Sequence, residues 1–457
     1  MMTLFCSDRV YGHAELREAV TGQISRLPQM VSAIGDADTV LRFEFHCEPM
    51  RPLGWLHNQV NAEKIYWSDR EGIEETAGVG RAKMLTGSGS ADYQEVFDAV
   101  DASLGDDNQR VRFYGGFSFD PGDEAGVWCD FGAYRWVVPR FEVVRRDTEY
   151  VFAVNIRVAE ITPDIVSQVV GELQDLEFSG ETRYRQVPRR LSRVDFPNRG
   201  AWRRLVDGLR LERNHKIVLA RQSNFAFHVP IRPSALVNFL SQTSPACYHF
   251  CFQPRPHHGF VGAPPERLFR LDGDRILTEA VAGTMPAGVC EQEAQAFRRE
   301  LLASDKCRRE QQFVVDHLRT ELQRLCTEFE IPAEPGVMAL NNVQHLCTQM
   351  TGRLSADVTR ADILRALHPT PAVGGYPAAQ ACRQISALEE FSRGWYAGPV
   401  GWIARRSCEF AVAIRSGLVV DHILSLYAGA GIVEGSQADD EWEEIETKIS
   451  RFMKVFG

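Results

Sequence analysis

The stretch from Tyr427 to Gly457 constrains the fold and the function of this chain more than any other part of it. An apolar strand leads into a glycine-rich turn at Gly429, Ala430 and Gly431. A helix follows, and its apolar residues recur three and four positions apart, which is the spacing of one buried helix face. This face comprises Trp442, Ile445, Ile449, Phe452 and Phe456.

A second face of the same helix carries Glu441, Glu444 and Lys448, again three and four positions apart. Mg²⁺ prefers oxygen ligands, and glycines let backbone amides come close to an anion. The stretch therefore indicates a magnesium site next to an anionic ligand. A solvated acidic helix would show the same spacing, so at this point both interpretations stay open.

Composition excludes several classes of function. The chain has 457 residues, enough for a large core, and a net charge of −10. This charge argues against a general binder of nucleic acid or of anionic membranes. An anionic substrate would need local cations or a metal ion, because the overall field of the protein repels it.

Neither a membrane span nor a disulfide framework is expected. No apolar run is long enough to cross a bilayer, and the first residues lack a cationic segment followed by an apolar one. Eleven cysteines are scattered along the chain, and no two have the CxxC spacing of a zinc site. We interpret them as reduced thiols of a cytoplasmic protein.

The first part of the chain, residues 1–195, predicts a strand-rich scaffold. Leu16, Val20, Ile24 and Leu27 indicate a helix, strands begin near residues 41, 64 and 110, and Gly115-Gly116 indicates a bulge or a close backbone approach. From residue 134 a pair of strands is expected, joined by a polar turn around Asp147. Residues 178–200 are polar and basic, which predicts a linker or a long surface connection.

The second part, residues 200–457, carries the residues with chemical potential, and we expect it to form one intertwined domain with the first. Lys216 begins a strand, and Glu266 follows two prolines. Gly283 and Thr284 form a Gly-Thr pair at a strand end, a geometry that suits anion contacts.

One long helix is expected between residues 291 and 326. Glu310 is aligned there with Phe313, Val314 and His317, which predicts a buried carboxylate with a cation beside it.

Long motifs in the second part resemble those of the chorismate-utilising enzymes, the family of anthranilate synthase component I. They are KIVLAR, GAPPERL, AGT, SDKCRRE, HPTPAVGG, YAGPVG, AIR and GAGIVEGSQADDEWEE, in the order of the family. The first 200 residues match more loosely, through IYWSDREG and RFYGGFSFDP. The resemblance implies an α+β fold in which large, mostly antiparallel sheets surround a core, with helices outside and the active site in a cleft.

The resemblance also implies roles for single residues. Glu310 and Glu444 match direct Mg²⁺ ligands, with Glu441 nearby through water, and Arg415 matches the partner of the enolpyruvyl carboxylate. The remaining positions that match the substrate site are Gly283, Thr284, His368, Tyr396, Gly431 and Lys448. Two departures from the family, Cys307 and Gln311, touch no direct metal ligand.

Two positions decide which reaction the resemblance implies. Glu266 matches the general acid, and Lys216 matches the group that activates the nucleophile. Members that add water keep lysine here, since water needs a base at neutral pH, whereas ammonia does not. Such a lysine must have a lowered pKa, through burial or a neighbouring cation.

The resemblance therefore implies an isochorismate synthase of the menaquinone type, acting on chorismate with Mg²⁺ and without a glutaminase subunit. Ala282 stands where aminodeoxychorismate synthases carry a nucleophilic lysine, and the LLES segment of many anthranilate synthases is absent. Salicylate synthase, a siderophore-pathway isochorismate synthase, an ammonia-using synthase and a non-catalytic homologue remain alternatives. Without the resemblance, Lys216 would be read as a surface lysine, Glu266 as a turn carboxylate, Arg415 as half of a structural ion pair and His368 as a packed residue.

Overall fold

The computed structural model describes residues 4–30, 37–61, 63–105, 110–120, 122, 126–181, 188–212, 215–340 and 343–456. Their strands form two sheets. The large sheet contains β1 (Leu4–Tyr11), β2 (Val40–Cys47), β3 (Lys64–Ser68), β4 (Glu74–Val79), β8 (Phe141–Arg146), β9 (Glu149–Arg157), β10 (Arg190–Phe196), β11 (Lys216–Phe227), β12 (His249–Arg255), β13 (His258–Gly262), β19 (Gly375–Tyr376), β22 (Ser416–Val420) and β23 (Ile423–Ile432).

The small sheet contains β5 (Lys83–Gly87), β6 (Phe113–Phe117), β7 (Tyr134–Val138), β14 (Arg267–Asp272), β15 (Arg275–Pro286), β16 (Cys326–Glu330), β17 (Gly336–Ala339), β18 (Val343–Leu354), β20 (Pro399–Ile403) and β21 (Ser407–Val412). The helices are α1 (His13–Ile24), α2 (Leu27–Met30), α3 (Pro52–Asn58), α4 (Tyr93–Ser103), α5 (Pro163–Gln174), α6 (Arg199–Gly208), α7 (Pro233–Thr243), α8 (Glu291–Ala303), α9 (Asp305–Leu325), α10 (Arg360–Leu367), α11 (Ala378–Leu388) and α12 (Ala438–Met453).

The predicted fold class is confirmed, because both sheets are mostly antiparallel and helices pack against them. The large sheet runs β1-β2-β9-β8-β4-β3-β12-β13-β22-β23-β11-β10, with β19 beside β11. The small sheet runs β16-β18-β15-β14-β21-β20-β6-β7-β5, with β17 beside β18. Between described strands, only β1 and β2 pair in parallel.

Strands from both parts of the chain pair with each other. In the large sheet β3 pairs with β12, and in the small sheet β6 pairs with β20. The division near residue 195 therefore crosses continuous backbone hydrogen-bond ladders, and its position stays a prediction. The segment predicted as a linker includes β10, which forms the edge of the large sheet beside β11, while residues 182–187 lie outside the described part.

The structure refines the strands predicted from residue 134. The chain forms β7 in the small sheet and then β8 and β9 in the large sheet, so it crosses between sheets around Pro139. Proline has no N–H for a sheet ladder, which suits this position. The turn predicted at Asp147 joins β8 to β9, and Asp147 adopts a positive φ of 53° there.

Two other local predictions were wrong. Gly429, Ala430 and Gly431 do not form a turn, because β23 continues through them and pairs with β11 along its whole length. The helix expected from 291 to 326 is divided into α8 and α9 at Ser304. The hydroxyl of Ser304 accepts a hydrogen bond from the Cys307 N–H at 3.3 Å and caps the second helix.

The buried faces of α1 and α12 were predicted correctly, although Leu27, expected in the same helix as Leu16, lies in α2. Leu16, Val20 and Ile24 of α1 are buried, and α12 buries the face of Trp442, Ile445, Ile449 and Phe452. Phe456 lies beyond α12 in a short 3-10 turn. The centroid of its ring is 4.3 Å from the centroid of the Phe227 ring. No helix in the described part combines the length and apolar character needed to cross a lipid bilayer.

At Gly115 the backbones of β6 and β7 come very close together. A methyl group at Gly115 would overlap the carbonyl oxygen of Arg135 on β7, which confirms the close backbone approach expected there and shows no bulge in the β6–β7 pairing. We predict that Gly115→Ala lowers the free energy of unfolding by about 3 kcal/mol, the upper end for overpacking in a core. Chemical denaturation measures this change.

Gly171→Ala is the matched control. Gly171 lies in α5, and a methyl group there would have no neighbour within 4 Å. Because alanine favours a helix over glycine, this change should raise the free energy of unfolding by up to about 1 kcal/mol. Equal effects of the two substitutions would contradict the close approach of β6 and β7.

Candidate active site

Lys216 lies where β11 begins, between β19 and β23. It pairs with Tyr376 of β19, and Val218, two residues further on, pairs with Gly431 of β23. A methyl group at Gly431 would stand only 2.7 Å from Cε of Lys216. The glycine thus leaves room for the lysine side chain to extend across the adjacent strand.

The surroundings of Lys216 lower the pKa of its ammonium group. Burial is the main cause, and the positive charge of Lys448 adds to it. The negative charges of Glu310, Glu266 and Glu444 act in the opposite direction. The condition stated above for a lysine base is met, and four other predicted site residues are close enough to influence the charge of Lys216.

Glu266 is a buried carboxyl group just before β14. Burial raises its pKa to about 8, the charge of Glu279 contributes in the same direction, and Lys216 opposes it. The hydroxyl of Thr370 lies 3.5 Å from its Oε1. At neutral pH the group is mostly protonated, so it can donate a proton, and a plain turn carboxylate would not be buried in this way.

Helix α12 presents Glu441, Glu444 and Lys448 at the same site. Nζ of Lys448 donates to Oε1 of Glu444 at 2.6 Å and to the carbonyl oxygen of Gly429 at 2.8 Å. Burial raises the pKa of Glu441, and the nearby charge of Glu444 adds to this. Lys448 therefore connects α12 to β23 and neutralises part of the acidic cluster.

Glu310 reaches the site from α9, but not from its buried face as the spacing had predicted. Its side chain is 45% exposed, with Nζ of Lys306 4.0 Å away, and Phe313 is 37% exposed. The buried face of α9 consists instead of Cys307, Gln311, Val314, Val315, Leu318, Leu322 and Leu325. Glu310 lies at the edge of this face, where its carboxylate stays accessible to a ligand.

Glu310, Glu441 and Glu444 offer the oxygen donors that a hard cation binds, but they are not already arranged as a complete set of metal ligands. Within the described ranges, no three His, Cys, Asp or Glu side chains are close enough to hold a metal. Glu310 and Glu444 both act on Lys216, and Glu441 faces the like charge of Glu444. Mg²⁺ prefers oxygen donors such as carboxylates, and its positive charge would offset the repulsion between them. Magnesium binding stays a prediction.

Arg415 forms the cationic end of the site. Its Nη2 lies 3.2 Å from Nε2 of His345, and burial lowers its pKa, opposed by the side chain of Cys247. Among the described residues no carboxylate stands within ion-pairing distance of Arg415, so a structural ion pair does not account for it. A largely buried guanidinium of this kind suits an incoming carboxylate.

His345 connects Arg415 to the Gly283–Thr284 segment. Its Nδ1 lies 3.0 Å from Oγ1 of Thr284 and 3.2 Å from the carbonyl oxygen of Gly283. This segment is not at a strand end as predicted, since β15 continues to Pro286 with a register shift between Ala282 and Thr284. Gly283 has a positive φ of 70°, which favours glycine.

A methyl group at Gly283 would stand 2.8 Å from Cβ of Cys307. The start of α9 therefore packs directly on the irregular part of β15, one turn before Glu310. This contact connects the Arg415 end of the site to its acidic end.

Tyr396 and His368 lie on the buried walls. The Tyr396 ring stacks on Tyr427 with centroids 5.3 Å apart, and a methyl group at Gly429 would be 3.3 Å from its hydroxyl. The His368 ring meets Phe119 edge-on at 5.8 Å, and burial lowers its pKa to about 4. The backbone of Phe119 partly opposes this lowering, and the imidazole is neutral at pH 7.

Comparison with known proteins assigns the family. A family model described as "chorismate binding enzyme" matches residues 28–457. The chain belongs to the chorismate-binding enzymes. The resemblance drawn from the sequence motifs is therefore confirmed.

Three similar proteins all carry the name isochorismate synthase. The chain is 34% identical over 358 residues to isochorismate synthase 2, chloroplastic, of Arabidopsis thaliana, covering 75% of this chain and 64% of that protein. It is 29% identical to isochorismate synthase MenF of Bacillus subtilis, covering 92% and 93%. The structure of MenF, the menaquinone-specific isochorismate synthase from Escherichia coli, superposes with a TM-score of 0.83 at 26% identity, covering 96% and 100%.

Several residues of this chorismate-binding enzyme's site escaped the sequence analysis. His345 lies in none of the motifs. It reaches the site because it stands opposite Thr284 where β18 pairs with β15. Lys306 belongs to the SDKCRRE motif, but its place beside Glu310 and Glu441 had not been recognised. Glu279, whose charge acts on Glu266, follows a threonine in a strand with no sign of function.

The raised pKa of Glu266 predicts a specific dependence of stability on pH. Because the folded-state pKa of about 8 lies above the ordinary value of 4.5 for a glutamate in the unfolded chain, the stabilising effect is complete below pH 4.5 and is lost as the pH rises through 8. Relative to Glu266→Gln, the unchanged protein should lose on the order of 3 kcal/mol of unfolding free energy between pH 5 and pH 9.

Denaturant titrations of both proteins at several pH values measure this difference. Glu390→Gln serves as the control, because the side chain of Glu390 is exposed to water and its removal should not change the pH dependence. A constant difference between the unchanged protein and Glu266→Gln across this range would show that Glu266 ionises normally.

Proposed function

We propose that the protein is an isochorismate synthase that converts chorismate to isochorismate. The observation that carries the proposal is the pair formed by Lys216 and Glu266, a lysine whose pKa is lowered and a carboxyl group whose pKa is raised to about 8, within electrostatic reach of each other. Such a pair supplies a base and an acid at the same pH. The names of the similar proteins support the same reaction.

The reaction needs one base and one acid. Neutral Lys216 removes a proton from water, and the water oxygen attacks ring carbon C2 as the ring double bonds shift. The C4–O bond breaks, and Glu266 gives its proton to the departing oxygen, which leaves as water. One water is consumed and one is released without oxidation or reduction, so the reaction should be close to reversible. Proton transfer from the Lys216 ammonium to the Glu266 carboxylate, through solvent, restores the starting state.

The remaining residues would bind and orient the substrate. Arg415 would hold the enolpyruvyl carboxylate, with His345 fixing the position of its guanidinium group. Thr284, Tyr396, His368 and Lys448 would line the ring. Glu310 and Glu444, with Glu441 through water, would hold a Mg²⁺ ion, which when bound supplies positive charge to the ring carboxylate.

The biological setting is also part of the proposal. A role in menaquinone biosynthesis is supported by the similarity to MenF along nearly the whole chain. Lysine rather than glutamine at position 216 supports water as the nucleophile and the absence of a glutaminase subunit. The ten cysteines whose side chains the structure describes are all free thiols, which supports a cytoplasmic location.

Product analysis tests the function directly. Purified protein with chorismate and Mg²⁺ should form isochorismate up to a plateau short of full conversion, as measured by chromatography over time. Lys216→Met should lower the rate by at least about 100-fold, because it removes the base. Lys83→Met is the control, since Lys83 lies on β5 beside Asp38 and should be dispensable.

Other products would redirect the assignment. Salicylate with an equal amount of pyruvate would place the enzyme among the salicylate synthases. Anthranilate formed with added ammonium would indicate an ammonia-using synthase, and unchanged chorismate would leave a non-catalytic homologue. Full turnover by Lys216→Met would exclude the lysine as the base.

The metal proposal has its own test. Glu444→Gln should raise the Mg²⁺ concentration for half-maximal activity by about tenfold or more, because it removes a charged ligand. Glu443→Gln is the matched control, since Glu443 is the preceding residue on α12 and pairs with Arg199 at 3.1 Å, away from the site. Identical Mg²⁺ titrations for the two variants would contradict the ligand role of Glu444.

A further inference from the structure

Glu279 is a buried carboxylate on β15 that binds two partners around Glu266. Its Oε1 accepts a hydrogen bond from the backbone N–H of Arg267 at 3.0 Å. The guanidinium group of Arg70 donates to both carboxylate oxygens, with Nη2 2.6 Å from Oε2. A bidentate pair of this kind fixes geometry as well as charge.

Arg70 reaches this position from the first part of the chain. It follows β3, and its Nη1 also donates to the carbonyl oxygen of Pro265 at 2.9 Å. The peptide groups on both sides of Glu266 are therefore held, at Pro265 by Arg70 and at Arg267 by Glu279. We refer to Arg70 and Glu279 as the clamp.

We propose that the clamp positions the catalytic carboxyl group of Glu266 and that the negative charge of Glu279 keeps this group protonated for proton donation. The inference rests on the proposed function, in which Glu266 is the acid. Arg70 and Glu279 do not touch the substrate, and they act through Glu266.

The clamp acts on Glu266 through its charges as well as through its hydrogen bonds. The groups that act on Glu266 are Glu279, which raises its pKa, and Lys216 and Thr370, which lower it. Arg70 partly neutralises Glu279, because the two form a bidentate ion pair whose side chains are at most 8% exposed. The field at Glu266 thus combines the charge of Glu279, which Arg70 partly neutralises, with the opposing charge of Lys216.

The wider ion network provides a matched control. Arg267 also pairs with Glu409 at 3.0 Å, and Glu409 accepts a hydrogen bond from the Tyr248 hydroxyl at 2.7 Å. Glu409 is as buried as Glu279, but it contacts the side chain of Arg267 and not the backbone beside Glu266. Its replacement removes the same charge from the same network without touching the clamp.

The test compares Glu279→Gln with Glu409→Gln. Glutamine keeps the shape of Glu279 but removes its charge, so the pKa of Glu266 should fall, and the decline of kcat at high pH should move down by about one pH unit. At pH 7.5 kcat should fall about threefold, because a downward shift of one unit from a pKa of about 8 leaves about a third as much protonated Glu266 at this pH, and KM for chorismate should stay within about twofold. Glu409→Gln should leave the pH position of the decline unchanged.

Arg70→Gln provides an independent variant with the opposite expectation. Loss of the cation leaves Glu279 less neutralised, so the decline of kcat should move to higher pH. Opposite shifts from the two members of one ion pair cannot come from a general loss of packing. An unshifted decline in either folded variant overturns the proposal, whatever happens to kcat.

A readout without substrate separates this inference from the proposed function. The infrared carbonyl band of protonated Glu266, identified by its absence in Glu266→Gln, should titrate at lower pH in Glu279→Gln and at higher pH in Arg70→Gln. Failure to form isochorismate together with these shifts would refute the function and retain the control of Glu266 by the clamp. Unshifted bands in an active enzyme would refute the clamp alone.

Discussion

The antiparallel pairing of β11 with β23 is the constraint on which the site depends. It is continuous over ten residue pairs, from Ile217 opposite Ile432 to Ala226 opposite Ile423. A slip of one residue would turn every side chain of a strand to the other face of the sheet. Because α12 follows β23 directly, the same register places the Lys216 side chain over Gly431 and brings the acidic face of α12 beside it. Base and acidic cluster are therefore positioned by one ladder of backbone hydrogen bonds.

Burial then shifts the pKa values of the two catalytic groups. Removal from water disfavours a charge of either sign, so the same cause lowers the pKa of Lys216 and raises that of Glu266. Two groups that would form an ion pair in water are each shifted toward the neutral form that can act, the lysine as base and the carboxyl group as acid. Their mutual attraction opposes these shifts, as Glu310 and Glu444 do at Lys216, whereas Glu279 adds to the shift of Glu266 and Lys448 adds to that of Lys216. The charges around the pair thus matter as much as the pair itself.

Local sequence patterns could predict only part of this arrangement. The buried face of α12 and the strands of both sheets follow from periodicity, and the motifs identified most of the site residues. The glycines around Gly431 were interpreted as a turn because spacing cannot show that a lysine from another strand needs their empty space. Glu310 was placed on a buried face because it stands four positions before Val314, but spacing alone cannot show where the buried face of α9 ends, and Glu310 lies at its edge. His345 was missed because its link to Arg415 arises from strand pairing, which no local pattern reveals.

The first part of the chain contributes more to the site than the scaffold predicted for it. Phe119 contacts the ring of His368, and Arg70 binds the backbone next to Glu266. Trp128 fills the space left by Gly394, where any side chain would overlap the indole. Since β3 and β6 also complete the ladders of β12 and β20, removal of the first part would expose strand edges and open the wall of the site. The low-polarity surroundings that shift the two catalytic pKa values are therefore built jointly by both parts, and neither part alone could maintain them.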